Sequence, residues 1–152
     1  MSKSAVEVAT VAGIGRVPLI PGTVGSLVGV ALYLVLYRLV PSWPWYGLVV
    51  AVLFGLGVWI TGAAEQELGE HDDQRIVWDE VVGFLVAMTA LSSHWRVIIA
   101  AFVLFRLCDM AKPFRIHLLQ KLPGGWGVML DDVAAGGLTA IVLHVLFSML
   151  GW

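Results

Sequence analysis

Residues 45–64 read WYGLVVAVLFGLGVWITGAA and contain no charged side chain. A helix needs about 20 predominantly apolar residues to cross the hydrocarbon core of a bilayer. This segment has the required length and composition, so it predicts a transmembrane helix. In lipid every backbone amide must find its hydrogen bond within the protein, which favours helices. The segment therefore indicates an all-α membrane fold.

Four further apolar stretches flank this segment, at residues 23–40, 76–91, 95–110 and 128–150. The stretches at 76–91 and 95–110 are short and are joined by Ser92-Ser93-His94, so we predict a helical hairpin that crosses the bilayer and returns. Residues 113–122 form a short amphipathic segment. The sequence predicts one domain over residues 1–152, a polytopic transmembrane helical bundle with short interfacial helices.

Composition supports a membrane location. The chain is 59% hydrophobic and 13% charged, whereas soluble domains are about 45–50% apolar and about 25% charged. A 16.5 kDa globule cannot hide that much apolar surface. The net charge of -2 and the lack of a basic run argue against a nucleic-acid partner. The oligomeric state stays open, a homo-oligomer included.

Charged residues collect on one side of the predicted bundle. If successive helices alternate in direction, residues 1–22, 65–80 and 106–132 share one side, which we call the acidic face. The positive-inside rule puts this face in the cytoplasm, because it receives most of the basic residues: Lys3, Arg16, Arg75, Arg106, Lys112, Arg115 and Lys121. All 11 acidic residues fall there too.

Some of these acids lie where solvation does not account for them. A solvated surface explains Glu7, Glu65, Glu67 and Glu70. The remaining candidates lie inside or at the edge of apolar helices: Asp79, Glu80, Asp109, Asp131 and Asp132. Carboxylates at membrane depth are costly and mark functional sites by default.

Two of the motifs, IVWDEVVGF at 76–84 and GGWGVMLDDVAAGG at 124–137, each carry a pair of adjacent acids. Asp79, Glu80, Asp131 and Asp132 can supply the oxygen ligands that Mg²⁺ prefers. Four carboxylates packed together would repel one another unless a cation is present or some are protonated. For the first pair, simple complementation of the helix dipole is the alternative. Zinc is disfavoured because no sulfur ligand accompanies the acids.

The motif FRLCDMAKPF at 105–114 places Arg106, Asp109 and Lys112 three residues apart, on one helical face. They form either a salt-bridged strip at the membrane edge or a site in which Arg106 and Lys112 hold phosphate oxygens. In the second case Asp109 binds metal or acts on the phosphorus. In PLIPGTVGS at 18–26, Thr23 and Ser26 begin a helix that either receives an anion or is merely capped there.

Further residues carry weaker signals. In EHDD at 70–73, His71 and Asp72 either ligate or transfer protons, or belong to a solvated loop. His94 and His144 lie away from the acids. Small residues allow helices to approach closely, and five glycines are candidates for this: Gly55, Gly57, Gly83, Gly136 and Gly137.

Four motifs, in this order along the chain, together resemble the phosphatidylglycerophosphatase A family: PGTVGS (21–26), HDDQRIVWDEVVG (71–83), FRLCDMAKP (105–113) and GGWGVMLDDVAAG (124–136). The resemblance implies a bacterial inner-membrane enzyme that uses Mg²⁺ at the cytoplasmic face. It would convert phosphatidylglycerophosphate to phosphatidylglycerol and inorganic phosphate.

The resemblance also implies roles for particular residues. Mg²⁺ would be held by Asp79, Glu80, Asp131 and Asp132. Catalysis would depend on Asp79, Asp109, Asp131 and Asp72, the last being preferred to Asp73. Thr23, Ser26, Arg106 and Lys112 would bind the substrate.

Two mechanisms and several other functions stay open at this point. In one mechanism a water activated by the cation attacks the phosphorus directly, and in the other Asp109 or Asp72 forms an aspartyl-phosphate. The lack of an Asp-x-Asp signature favours direct attack.

The alternative functions are another lipid-phosphate hydrolase, an acid-lined ion or proton transporter, a CDP-alcohol phosphotransferase and a membrane scaffold. A transporter would spread its acids through the bilayer, and the phosphotransferases carry a longer Asp-rich motif.

Overall fold

A computed structural model describes residues 2–16, 20–40, 42–69 and 73–150 of the chain, and within these ranges all regular structure is helical. The α-helices are α1 (Ser2–Ala9), α2 (Pro21–Leu39), α3 (Trp43–Leu68), α4 (Trp78–Ala87), α5 (Trp95–Ala111) and α6 (Gly125–Leu150). Short 3-10 helices cover Ile14–Arg16 and Pro113–Lys121. The predicted all-α class is confirmed, and α2, α3 and α6 are long and apolar enough to cross a membrane.

The first arm of the predicted hairpin is shorter than a full crossing. Helix α4 has 10 residues, and at about 1.5 Å per residue it covers only about half of a bilayer core of about 30 Å. Helix α5 has 17 residues and returns toward the acidic face.

Helix α4 occupies the centre of the bundle. Its side chains Val82, Phe84 and Leu85 are fully buried. The surrounding helices instead expose apolar residues outward, and Val52 on α3 and Val145 on α6 are 53% and 55% exposed. Such an outer surface is suited to lipid, because lipid chains are as apolar as these side chains.

The early end of α4 leaves backbone carbonyls near the end of the helix without helical partners. Two tyrosines satisfy them: the Tyr46 hydroxyl donates to the Leu85 carbonyl at 2.7 Å, and the Tyr33 hydroxyl donates to the Leu91 carbonyl at 2.8 Å. Irregular backbone at membrane depth is tolerated where protein groups bond it. Tyr33 and Tyr46 therefore allow α4 to stop at Ala87.

Glycines bring α4 and α6 into close contact. A Cβ added to Gly136 would lie 2.2 Å from the Gly83 carbonyl oxygen, and one added to Gly83 would lie 2.9 Å from the Asp132 carbonyl oxygen. At Gly55 and Gly137 an added Cβ would meet no atom of the described chain within 4 Å. The prediction of close approach is confirmed for Gly57, Gly83 and Gly136, and is wrong for Gly55 and Gly137.

Helices α2, α4 and α6 begin at the same end of the bundle, where α3 and α5 end. Gly22 near the start of α2 faces Glu80, and Gly62 near the end of α3 faces Gly125 at the start of α6. The acids are thereby gathered at one end. Glu65, predicted to be solvated, is buried there, because α1 packs on this part of α3.

Candidate active site

A cavity of about 410 Å³ opens at the acidic face. Its walls come from the start of α2, the loop before α4, the first turn of α4, the end of α5 and the second turn of α6. The lining residues include eight that carry charge: Asp73, Asp79, Glu80, Arg106, Asp109, Lys112, Asp131 and Asp132. Acids from distant parts of the chain thus share one site, as predicted.

Three of the carboxylates form a compact cluster. Asp79, Glu80 and Asp132 each offer an oxygen, and these oxygens lie within 4.8 Å of one another. Glu80 Oε2 and Asp132 Oδ2 are buried and accept no hydrogen bond from the described residues. Buried, mutually repelling carboxylates are retained only where a cation compensates their charge or where some of them are protonated. The chemistry of this donor set fits a divalent cation such as Mg²⁺, which prefers carboxylate oxygens.

Two basic side chains face the cluster. Arg106 Nη1 donates to Asp109 Oδ2 at 2.5 Å, and the Lys112 ammonium donates to Asp131 Oδ2. The predicted shared helical face holds for Arg106 and Asp109. It does not extend to Lys112, which ends α5 in the left-handed region at φ 43° and reaches across to α6. Both basic groups are ion-paired, as the salt-bridged interpretation requires, and both line the cavity, so their binding of phosphate stays a prediction.

The start of α2 forms another wall. Thr23 lines the cavity as predicted. Ser26 does not, since its buried hydroxyl donates to the Gly22 carbonyl at 2.9 Å. The predicted contact of Ser26 with substrate finds no support in this position.

Gly22 is a site residue that the sequence interpretation missed. A Cβ there would lie 2.3 Å from Glu80 Oε1 and 3.0 Å from Arg106 Nη2. The only signal was its position in the Gly-rich start of α2, which does not reveal what faces it.

The loop before α4 brings Asp73 to the cavity. Arg75 donates to Asp73 Oδ1 from its backbone N and from Nε, both at 2.9 Å. The hydrogen bond from the Arg75 side chain lowers the pKa of the Asp73 carboxyl below its usual range. Asp73 was set aside in favour of Asp72, which lies outside the described residues together with His71.

The histidines in the described segments take no part in this site. His94 and His144 line a separate cavity of about 670 Å³ at the opposite end of the bundle. The prediction that they lie away from the acids is confirmed.

The apolar helices and the acid-lined cavity define a membrane protein with a polar site at one end of its helical bundle. The family model for Phosphatidylglycerophosphatase A matches residues 7–147. The chain therefore belongs to the phosphatidylglycerophosphatase A family, as its motifs indicated, and is a phosphatase.

Individual relatives agree with this assignment. The Phosphatidylglycerophosphatase A of Escherichia coli (strain K12) is 37% identical over 87% of this chain and 77% of its own length. The protein of the same name from Haemophilus influenzae is 38% identical over 88% and 83%. A Bacteroides thetaiotaomicron protein, 37% identical over 91% of both chains, is named provisionally as a phosphatidylinositol-3-phosphatase. No solved structure matches this chain significantly.

Proposed function

We propose that this protein hydrolyses the terminal phosphate monoester of phosphatidylglycerophosphate, giving phosphatidylglycerol and inorganic phosphate. The reaction uses Mg²⁺ and takes place at the cytoplasmic face of a bacterial inner membrane. One observation carries the proposal: carboxylates from α4 and α6 meet two basic side chains from the end of α5 in one cavity of a membrane bundle. The identity of the substrate's head group is inferred from the names of two relatives.

Asp79, Glu80 and Asp132 would hold the cation, and Asp131 lies beside them on α6. When bound, Mg²⁺ neutralises phosphate oxygens and lowers the pKa of a nearby water. Without it, the buried oxygens Glu80 Oε2 and Asp132 Oδ2 accept no hydrogen bond within the described chain.

Arg106 and Lys112 supply donors for the phosphate group. Arg106 Nε is buried and has no acceptor among the described residues. A buried donor left unsatisfied is costly, and a phosphate oxygen in the cavity would satisfy it. Two bonds from such fixed donors orient the phosphoryl group for in-line attack and stabilise the charge that develops on it.

Asp109 is suited to act as a base. Its hydrogen bond from Arg106 fixes the carboxylate on the cavity wall, where it can take a proton from the attacking water. We propose direct attack by water rather than an aspartyl-phosphate because the sequence lacks an Asp-x-Asp nucleophile signature.

The test is phosphate release from phosphatidylglycerophosphate in mixed micelles, with Mg²⁺ or with EDTA. Activity should require Mg²⁺ and fall by about 10²-fold or more in Asp79→Asn, Asp109→Asn and Asp131→Asn. Glu67→Gln is the matched control, because Glu67 is an exposed acid at the same end of the bundle and does not line the cavity. Full activity in all three site variants would contradict the proposal.

The same assay determines head-group selectivity. Phosphatidylinositol 3-phosphate is the informative competitor, because one relative is named for it. Preference for that lipid over phosphatidylglycerophosphate would retain the phosphatase chemistry and overturn the proposed substrate.

A further inference from the structure

If the proposed function holds, the cavity must receive a phosphate whose diacylglycerol part stays in the bilayer. The cavity therefore needs an apolar opening on its side. Most of its lining residues are charged or polar, and the apolar residue Ile76 is buried. Two apolar lining residues are exposed: Ile20 is 53% exposed and Met110 is 74% exposed. They lie on neighbouring elements, just before α2 and in the last turn of α5.

An exposed apolar stripe leads away from Ile20 along α2. Leu27 is 52% exposed and Leu34 is 40% exposed. Residues seven apart lie almost on the same face of a helix, two turns along. Leu27 and Leu34 thus share one exposed apolar face of α2, and Ile20, the residue before the helix, lines the cavity at its start.

A second stripe leads away from Met110 along α5. Val103 lies seven residues earlier and is 51% exposed, while Leu107 and Ile99 are 58% and 53% exposed. Both helices therefore present lipid-facing surface that begins at the cavity rim.

The junction between α2 and α5 at the rim is formed by small and polar groups. Gly22 lies against the Arg106 guanidinium there. By contrast, α4 and α6 are closely packed through the backbone contact between Gly136 and Gly83. An acyl chain can pass more readily between α2 and α5, where a side chain can move aside, than between α4 and α6, where the two backbones are in contact.

We propose that the phospholipid substrate enters the cavity laterally, between the start of α2 and the end of α5. Ile20 and Met110 contact its acyl chains while the phosphate reaches Arg106 and the carboxylate cluster. Specificity for a membrane lipid over a soluble phosphate monoester then resides in this apolar rim, and the charged residues do not provide it.

Neutral polar variants test the rim without changing the charge of the site. Activity is compared on long-chain phosphatidylglycerophosphate in vesicles and on a water-soluble dibutanoyl analogue. In Met110→Gln combined with Ile20→Asn, the ratio of long-chain to short-chain activity should fall about tenfold or more, because apolar contacts with the acyl chains are lost. Met149→Gln is the control, since Met149 is 81% exposed on α6 at the far end. An unchanged ratio in the double variant overturns the lateral entrance.

Photo-cross-linking of the unmodified protein gives a second measurement that does not depend on a variant folding. The probe is a phosphonate analogue of phosphatidylglycerophosphate with a photoreactive acyl chain. Labelling that excess unlabelled lipid displaces should map to residues 20–34 and 99–112. Displaceable labelling confined to α3 or α6 overturns the inference. Failure of the proposed function is recognised separately, because the unmodified protein would then hydrolyse neither the long-chain nor the short-chain substrate.

Discussion

Glu80 and Asp132 place carboxylate oxygens in the interior of the bundle without partners in the described chain. Burial of a charge is unfavourable unless another charge or a metal compensates it. In proteins such groups are retained where a ligand supplies the missing interaction. The cluster therefore predicts that the folded state itself is sensitive to a divalent cation.

Mg²⁺ should raise the thermal unfolding temperature of the purified protein, because a ligand that binds only the folded state stabilises it by about 2.7 kcal/mol at 100 times its Kd. In Asp132→Asn one ligand is lost and the mutual repulsion is smaller. Without Mg²⁺ this variant should be at least as stable as the parent, and the shift produced by Mg²⁺ should be smaller. Differential scanning fluorimetry in detergent measures both, and an equal shift in the two proteins would contradict a cation site at Asp132.

A second prediction concerns a single added atom, the Cβ that an alanine would place at position 22. In Gly22→Ala the new Cβ would lie 2.3 Å from Glu80 Oε1, so the carboxylate or helix α2 must move. A displacement of about 1 Å in a catalytic site can cost about 10²-fold in rate, so activity should fall by roughly that factor. Gly55→Ala is the control, since no described atom lies within 4 Å of its added Cβ. Equal activity in the two variants would show that the α2 wall is dispensable.

At the scale of elements, α4 is held by bonds at its carboxyl end. Tyr46→Phe removes the hydroxyl that donates to the Leu85 carbonyl at 2.7 Å and leaves this buried acceptor with only the longer bond from the Thr89 hydroxyl, at 3.5 Å. Such a loss costs about 1–3 kcal/mol, so the unfolding temperature should fall. Tyr37→Phe is the control, because Tyr37 is 43% exposed. Thermal unfolding in detergent gives the comparison, and equal values for both variants would argue against this role of Tyr46.

The same element shows where sequence interpretation stops. After the acid pair, residues 81–91 are almost uniformly apolar, so hydropathy alone cannot show that α4 ends at Ala87. That end depends on hydroxyls from α2 and α3, which no local pattern in α4 encodes. The convergence of the two acid pairs was predictable, since each pair lies near the start of a helix and both helices begin at the same end.

The start of α2 was predicted less well, and for a related reason. Thr23 and Ser26 are equivalent as hydroxyl residues near a helix start, but the rotation of α2 against α4 decides which one reaches the cavity. That rotation is set by contacts such as the one between Gly22 and Glu80, whose partners are far apart in sequence. Patterns in the sequence identify the motif at the start of α2, but they do not show which side of the helix faces the cavity.

At the scale of the whole molecule, the arrangement is asymmetric: the acid-lined cavity and most basic residues share one end. Basic residues flanking membrane helices are retained on the cytoplasmic side. The cavity should therefore open toward the cytoplasm, where it meets the inner leaflet. This orientation follows from residues that are mostly outside the site, so it can be tested independently of catalysis.

Single cysteines at the two ends of the bundle provide that test. Cys108 is buried and gives a low background toward impermeant thiol reagents. Pro123→Cys places a thiol just before α6 at the acidic face, and Ser42→Cys places one at the opposite end, where Ser42 makes no side-chain cap bond. In spheroplasts an impermeant maleimide should label position 42 and spare position 123, whereas lysis should expose both. Labelling of position 123 in intact spheroplasts would show that the cavity opens to the periplasmic side. The site could then not act on phosphorylated lipid in the cytoplasmic leaflet.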